Sequence, residues 1–286
     1  MNQNKVRQFM PNIIKTESPV VMGIINMSPD SFYSGSRCLN EDEFEAKFAK
    51  MLEDGASIID IGACSTRPGS IPVAEEDEWE RLKPALKKVL RIFPSSTISI
   101  DTFRANIVER AFDFVGDLII NDISAGKDDP EMLKTAARLK LPYIAMHKRG
   151  TPLNMQSKCD YNNVTLEVKE YLSNFVIKAQ EAGIKEIVLD PGFGFAKNRE
   201  QNYELLNNLD KLKIINNQGK PYPLLVGLSR KSMIYKALSI TPEEALPATS
   251  ALELIALLNG ANIIRTHNVK EAVQMIKLYK LIVQNS

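Results

Sequence analysis

The sequence predicts an α/β chain folded as a (β/α)8 TIM barrel in a single domain, and three observations carry that expectation. Eight short apolar runs rich in β-branched residues recur along the chain, and segments with helical spacing lie between them. The first run is not followed by the G-x-G-x-x-G turn of a dinucleotide-binding open sheet. Strands that are apolar throughout and separated by helices indicate a parallel sheet covered on its outer side, and eight such units suit a closed barrel.

In order, the runs are PVVMGII (19–25), SIIDIG (57–62), TISID (97–101) and DLIIND (117–122), then PYIAM (142–146), EIVLD (186–190), PLLVG (223–227) and NIIRT (262–266). Between the fifth and sixth, Val164, Val168, Tyr171, Leu172, Phe175 and Val176 recur on one helical face, and Gly183 ends that helix. Trp79 reads as the apolar side of an acidic helix start. The apolar SALELIALLNGA (250–261) suits either barrel packing or a subunit contact. No internal repeat or linker interrupts the chain, so the expected organisation is an N-terminal arm over residues 1–17 and a barrel over 18–286.

Composition excludes several classes of function. Thirty-six basic and thirty-five acidic residues leave a formal charge of +1, without the basic run that tracks a phosphate backbone, so no nucleic-acid partner is expected. No apolar segment approaches the roughly 18 residues of a membrane span. The expectation is therefore a cytoplasmic chain with no membrane partner. Cys38, Cys64 and Cys159 are widely spaced and accompanied by only two histidines, which supports neither a disulfide framework nor a zinc site.

Each run ends on polar residues. Asn26 follows the first; Ser65, Thr66 and Arg67 follow the second; Asp101 ends the third; Asn121 and Asp122 end the fourth. Met146 and His147 mark the fifth and Asp190 the sixth. Ser229, Arg230 and Lys231 come after the seventh, and Arg265 and His267 close the eighth. Singly, these are turn formers and caps. Together they sit where a barrel carries its active face, and buried charges are too costly to be gathered there for packing.

Two chemistries separate. Asp101, Asn121, Asp190 and Lys231 offer the fixed donors and acceptors that read the edge of a flat nitrogen heterocycle. Asn26, Arg67, Arg265 and His267 suit an anion, with the asparagine oxygen able to serve as one ligand of a magnesium ion. A phosphorylated or diphosphorylated heterocycle satisfies both. The plainer alternative makes Asp101 and Lys231 a structural ion pair and Arg265 a helix cap. In DPGFGFAKN (190–198), Gly192 and Gly194 allow a sharp turn while Phe195 covers a bound ring. His147 is expected to order its loop. A Schiff base on Lys231 would require a depressed pKa.

The assembled blocks closely resemble the dihydropteroate synthase family over residues 20–280. They are MGIINMSPDSF (22–32), GASIIDIGACSTRPGS (55–70), ISIDTFR (98–104), IINDISAG (119–126), MHKRGTPLNMQ (146–156), LDPGFGFAKN (189–198), LLVGLSRKSMI (224–234) and IIRTHNVKEAV (263–273). The resemblance implies a homodimeric barrel that joins p-aminobenzoate to 6-hydroxymethyl-7,8-dihydropterin diphosphate, giving 7,8-dihydropteroate and diphosphate for folate synthesis. It further implies that Asp101, Asn121, Met146, Asp190, Phe195, Lys231 and Arg265 bind the pterin. Asn26, Arg67 and His267 would hold diphosphate with Mg2+, Asn26 being the metal ligand. Phe32, Thr66, Pro68 and Ser232 would shape the p-aminobenzoate site, where sulfonamides compete. Asp101, Lys231, Arg265 and His267 are the implied catalytic set. Ala63 and Cys64 stand where the family usually has Gly and Glu, and Ala196 where it usually has Gly. The competing expectations are a pterin-binding module without transferase activity and an inactive scaffold.

Overall fold

A computed structural model describes residues 18–27, 40–65 and 69–284. Eight strands are present: β1 (Val20–Asn26), β2 (Ile58–Gly62), β3 (Ile98–Asp101), β4 (Ile119–Asp122), β5 (Tyr143–Met146), β6 (Ile187–Asp190), β7 (Leu225–Val226) and β8 (Ile263–Thr266). All neighbouring pairs are parallel, in the order β6-β5-β4-β3-β2-β1-β8-β7. The two ends of that order meet through a parallel bridge between Leu189 and Leu224, and the Leu189 amide donates to the Pro223 carbonyl at 2.9 Å. This closes the barrel. The seventh strand is only two residues long, shorter than its apolar run suggests, because Pro223 lacks a donor and Gly227 lacks a side chain to pack.

The helices follow the strands as expected: α1 (Glu41–Glu53), α2 (Glu75–Ile92), α3 (Ala105–Val115), α4 (Met132–Leu139), α5 (Val164–Ala182), α6 (Arg199–Asn207), α7 (Ser232–Leu238), α8 (Leu246–Leu258) and α9 (Val269–Gln284). The stripe read from the sequence becomes the buried face of α5, with Val164, Val168, Leu172, Phe175 and Val176 covered and Tyr171 half-buried. Gly183 caps it in the left-handed region, its N–H bonding to the Ala179 and Gln180 carbonyls. Trp79 is buried on α2. The SALELIALLNGA segment forms most of α8. It packs through Thr249, Glu253, Ala256 and Leu257 while Ile255 and Leu258 remain on the outside. The expected arm, residues 1–17, lies outside the described residues.

Side-chain alternation along the strands positions the site. Val21, Ile25, Ile59, Ile61, Ile100, Ile120, Leu189 and Ile264 join the core under the helices. The alternate residues Met22, Ile58, Ile119, Ile144, Val188, Leu225 and Ile263 form a separate apolar layer inside the barrel. Two residues further along β2, β4, β5, β6 and β8, still on the inner face, stand Asp60, Asn121, Met146, Asp190 and Arg265. The barrel is thus plugged with hydrocarbon at one end and polar at the other.

Candidate active site

The polar layer is held together by Arg265. Its Nε donates to Asp60 Oδ2 at 2.7 Å, and its Nη2 lies 2.6 Å from the same oxygen and 2.9 Å from Asp101 Oδ2. Asp60 is fully buried and also accepts from Ser99 Oγ at 2.5 Å and Asn121 Nδ2 at 3.0 Å. Both oxygens of that carboxylate are hydrogen-bonded, as a buried charge requires. Neighbouring strands at matching heights bring these groups together: Asp60 pairs with Ser99, Gly62 with Asp101, and Asp101 with Asn121. Gly62 eases the close approach, since a Cβ there would lie 3.2 Å from the Asp101 Cβ, tighter than ordinary contact.

Asp60 was not among the expected site residues. SIIDIG places one carboxylate mid-strand in an apolar run, a pattern that by itself fits an exposed face as well as the barrel interior. The plainer pairing of Asp101 with Lys231 is not what the structure contains. The cation on Asp101 is Arg265, because strand register brings Arg265 across from β8 while Lys231 extends from the seventh loop toward β6.

On the opposite wall, Asp190 ends β6 and accepts from the Gly192 N–H at 2.7 Å. Lys231 donates from Nζ to the Phe193 carbonyl at 2.5 Å, and its Nζ lies 5.2 Å from the centre of the Phe195 ring. Gly192 and Gly194 have φ of +70° and +80°, which gives the expected sharp turn. At Gly192 a Cβ would fall 2.0 Å from the His147 carbonyl oxygen, so this loop lies directly on the end of β5 beside Met146. Ala196 occupies φ +50° and is buried, a left-handed position that suits the usual glycine.

The remaining rim residues sit next to these walls. Asn26 ends β1 opposite Gly62 and is half-buried. His267 follows β8, with its backbone N–H donating to Ser229 Oγ at 3.2 Å and its Nδ1 2.9 Å from the same hydroxyl. Ser232 opens α7 and is half-buried. Arg230, in the left-handed region at φ +53°, donates to Asn268 and to the Pro242 and Glu243 carbonyls, which fixes the turn from which Lys231 projects. Phe32, Thr66, Arg67 and Pro68 lie outside the described residues.

Burial sets the protonation states. It raises Asp101 to about 7, against the pull of Arg265, and the nearby Asp60 raises it further. One guanidinium is shared by two carboxylates, so neither receives its full charge. Asp190 is also raised by burial, with Lys231 opposing. Lys231 is lowered to about 8 by burial, Asp190 opposing and Arg265 adding to the fall. Part of the depression that a Schiff-base lysine requires is therefore present. His267 is lowered to about 3 by burial and by the positive charges of Arg265 and Arg230. It therefore enters the site as a neutral hydrogen-bonding group. His147 is buried and held well below its usual range by burial and the Lys197 charge, consistent with an ordering role in its loop. Burial likewise pushes the Cys64 thiol up, away from a reactive thiolate.

No group of three or more His, Cys, Asp or Glu side chains suited to hold a metal occurs among the described residues. A single neutral oxygen such as that of Asn26 does fit magnesium that arrives with a polyphosphate and keeps most of its ligands from water and phosphate.

Comparison with known proteins agrees with this geometry. The family model described as "Pterin binding enzyme" matches residues 22–267. The dihydropteroate synthase of Escherichia coli strain K12 is 39% identical over 262 residues, covering 91% of this chain and 90% of that protein. The chain belongs to the dihydropteroate synthase family. Dihydropteroate synthases are transferases of folate synthesis, and two solved structures extend the match to the fold. The Yersinia pestis dihydropteroate synthase in a sulfonamide drug complex superposes with a TM-score of 0.86 at 36% identity, covering 94% of this chain and 95% of that one. The Burkholderia cenocepacia dihydropteroate synthase complexed with 7,8-dihydropteroate gives a TM-score of 0.83 at 31% identity, with 94% and 93% covered.

Proposed function

We propose that the polar mouth of this barrel condenses 6-hydroxymethyl-7,8-dihydropterin diphosphate with p-aminobenzoate, and that its two walls divide the substrate between them. The observation that carries the reading is Arg265, clamped by Asp60 and Asp101 between the Asp190–Lys231 wall and the Ser229–His267 corner. A carboxylate that already accepts one backbone N–H retains room for the paired N–H groups of an amino-pyrimidinone, which is the role given to Asp190. Lys231 and Asn121 take the remaining ring edge, and Met146 and Phe195 its faces.

Substitution at the pterin methylene then proceeds with the C–O bond breaking first. Its electron pair goes to the bridging oxygen of diphosphate, and charge growing there is met by hydrogen bonds from Arg265 and from neutral His267. Asn26 would hold Mg2+, which, when bound, neutralises part of the leaving group's charge. The cation left on the pterin is delocalised into the ring beside Asp101. With a value near 7, Asp101 is ionised in a useful fraction at neutral pH, and a neighbouring cation draws it further toward the anion. The aniline nitrogen attacks as the neutral amine, forms the C–N bond and passes its extra proton to water. Ser232, with Phe32, Thr66, Arg67 and Pro68, belongs to the same reading of the p-aminobenzoate and diphosphate sites.

Homodimerisation belongs to this proposal too, supported by Leu258 on α8 and Leu278, Leu281 and Ile282 on α9, all more than half exposed. So do a cytoplasmic location and the division into an arm over 1–17 and a barrel over 18–286. No helix among the described residues is long and apolar enough to cross a membrane. Incubation with both substrates and Mg2+ should release diphosphate only when both are present. Hydrolysis without p-aminobenzoate, or no release at all, would contradict the assignment.

A further inference from the structure

We propose that Lys197 is a positioning residue for the pterin wall: it clamps the loop after β6 in the shape that presents Asp190, the Phe193 carbonyl and Phe195 to the heterocycle. This rests on the functional reading above and extends it to a side chain outside the contact set. Lys197 is only 3% exposed. Its Nζ lies 2.9 Å from His147 Nδ1 and donates to the Gly192 carbonyl at 2.9 Å and the Phe195 carbonyl at 3.1 Å. Two of its N–H directions are thus taken by carbonyls of one loop and the remaining one faces the His147 ring nitrogen.

The loop has reason to need an external clamp. Gly192, Gly194 and Ala196 all lie in the left-handed region, so no regular ladder supports the segment. One turn bond, from the Phe195 N–H to the Gly192 carbonyl at 3.1 Å, lies within it, and side chains take the other bonds to its carbonyls, Gly192 and Phe195 by Lys197 and Phe193 by Lys231. From the outer side, Asn202 accepts from the Gly194 N–H at 2.7 Å and donates to the Lys197 carbonyl at 3.1 Å. Gly192 is the link to chemistry: its carbonyl is held by Lys197, and its N–H, in the preceding peptide group, donates to Asp190 Oδ1. Burying an ammonium merely to fill space is costly where a methionine would do.

Electrostatics gives a readout that a purely structural role would not move. Asp190 faces Lys231, Arg265 and Lys197. Lys197 in turn faces Asp190, Lys231, Arg149, Cys159 and the His147 ring. Burial lowers Lys197 itself to about 7, against the pull of Asp190, so below that pH Lys197→Met removes one cation from beside Asp190, and throughout it loosens the N–H that stabilises the Asp190 anion. Both changes raise the pH at which Asp190 ionises.

The test uses the full chain, titrated calorimetrically with 6-hydroxymethyl-7,8-dihydropterin diphosphate and Mg2+ from pH 6 to 9, alongside steady-state kinetics in p-aminobenzoate. Lys197→Met should weaken pterin binding by about tenfold or more, as expected for lost hydrogen bonds to a charged group, and move the acid limb of the binding profile upward. The KM for p-aminobenzoate should stay within about twofold. Lys197→Gln, whose amide still donates to a carbonyl, should recover part of the affinity, and it decides the matter on the same measurements if the methionine variant does not fold. Wild-type affinity and an unmoved acid limb in a folded variant would overturn the proposal, as would equal losses for both substrates. If the wild-type chain itself takes up no pterin diphosphate, the functional reading fails first and this inference with it.

Discussion

Asp60→Asn tests how the two walls are joined. The substitution keeps volume and one carbonyl oxygen but removes the charge that receives two nitrogens of Arg265. Breaking a buried pair by removing one partner costs about 3–5 kcal/mol. Arg265 keeps Asp101 at 2.9 Å, and the amide oxygen still accepts one bond, so about 2–3 kcal/mol is the expected loss of stability. Arg265 should also swing toward Asp101, and misplacement of a reacting group by about an ångström lowers kcat/KM by roughly 10²-fold. A third effect is specific to this arrangement. Asp60 is one of the charges holding Asp101 up, so its removal lowers the Asp101 value and shifts the acid limb of kcat/KM to lower pH. Urea denaturation at constant m-value and a diphosphate-release assay over pH 5 to 9 measure all three. A stability change below about 1 kcal/mol with an unmoved acid limb would refute the clamp.

Other outcomes follow from the same geometry. Asp101→Asn should fold and lose turnover by about 10²-fold or more; near wild-type kcat would remove Asp101 from the mechanism. In the free enzyme, Asp101 is raised from an unfolded value of 3.8 to about 7, so the folded state binds the extra proton between those limits. Asp101 therefore contributes a loss of stability as pH rises from about 4 to 7, up to about 1.4 kcal/mol per pH unit, while the lowered histidines contribute in the opposite sense; the slope should change by that amount between wild type and Asp101→Asn, and equal slopes in the two proteins would place the titration elsewhere. His267 and His147 are the only histidines, so their ring resonances are readily assigned, and both should stay neutral from pH 8 to 5; a midpoint near 6.5 for His267 would contradict its burial among cations. Gly192→Ala drives a Cβ to 2.0 Å from a backbone oxygen at a positive φ and should cost more than about 3 kcal/mol in urea denaturation; a tolerated substitution would show that the loop is not seated on β5.

Much of this architecture is visible in the sequence because strands buried on both faces leave an unambiguous apolar run, and the polar residues that end each run have no packing reason to recur. Asp101, Asn121, Met146, Asp190 and Arg265 were found in that way, and strand pairing brings them to one mouth. What was not legible are interactions that depend on register. Asp60 sits mid-strand, where one charged residue in a short run suggests an exposed face, and only closure of the barrel turns that face inward. Lys197 stands in a glycine-rich loop, where a lysine ordinarily points to solvent; its burial follows from three left-handed residues folding the loop back over it. The protonation of His267 is likewise not readable from the sequence, since composition near the rim does not reveal how far water is excluded.

Calorimetric titration of 6-hydroxymethyl-7,8-dihydropterin diphosphate with Mg2+ into the wild-type chain and into Asp190→Asn tests convergence most directly. One equivalent should bind to the wild type, and the asparagine variant, which cannot accept paired N–H groups as an anion, should lose at least about tenfold in affinity. Equal affinity in the two proteins, or no heat in the wild type, would mean that the carboxylate at the end of β6 does not read the heterocycle.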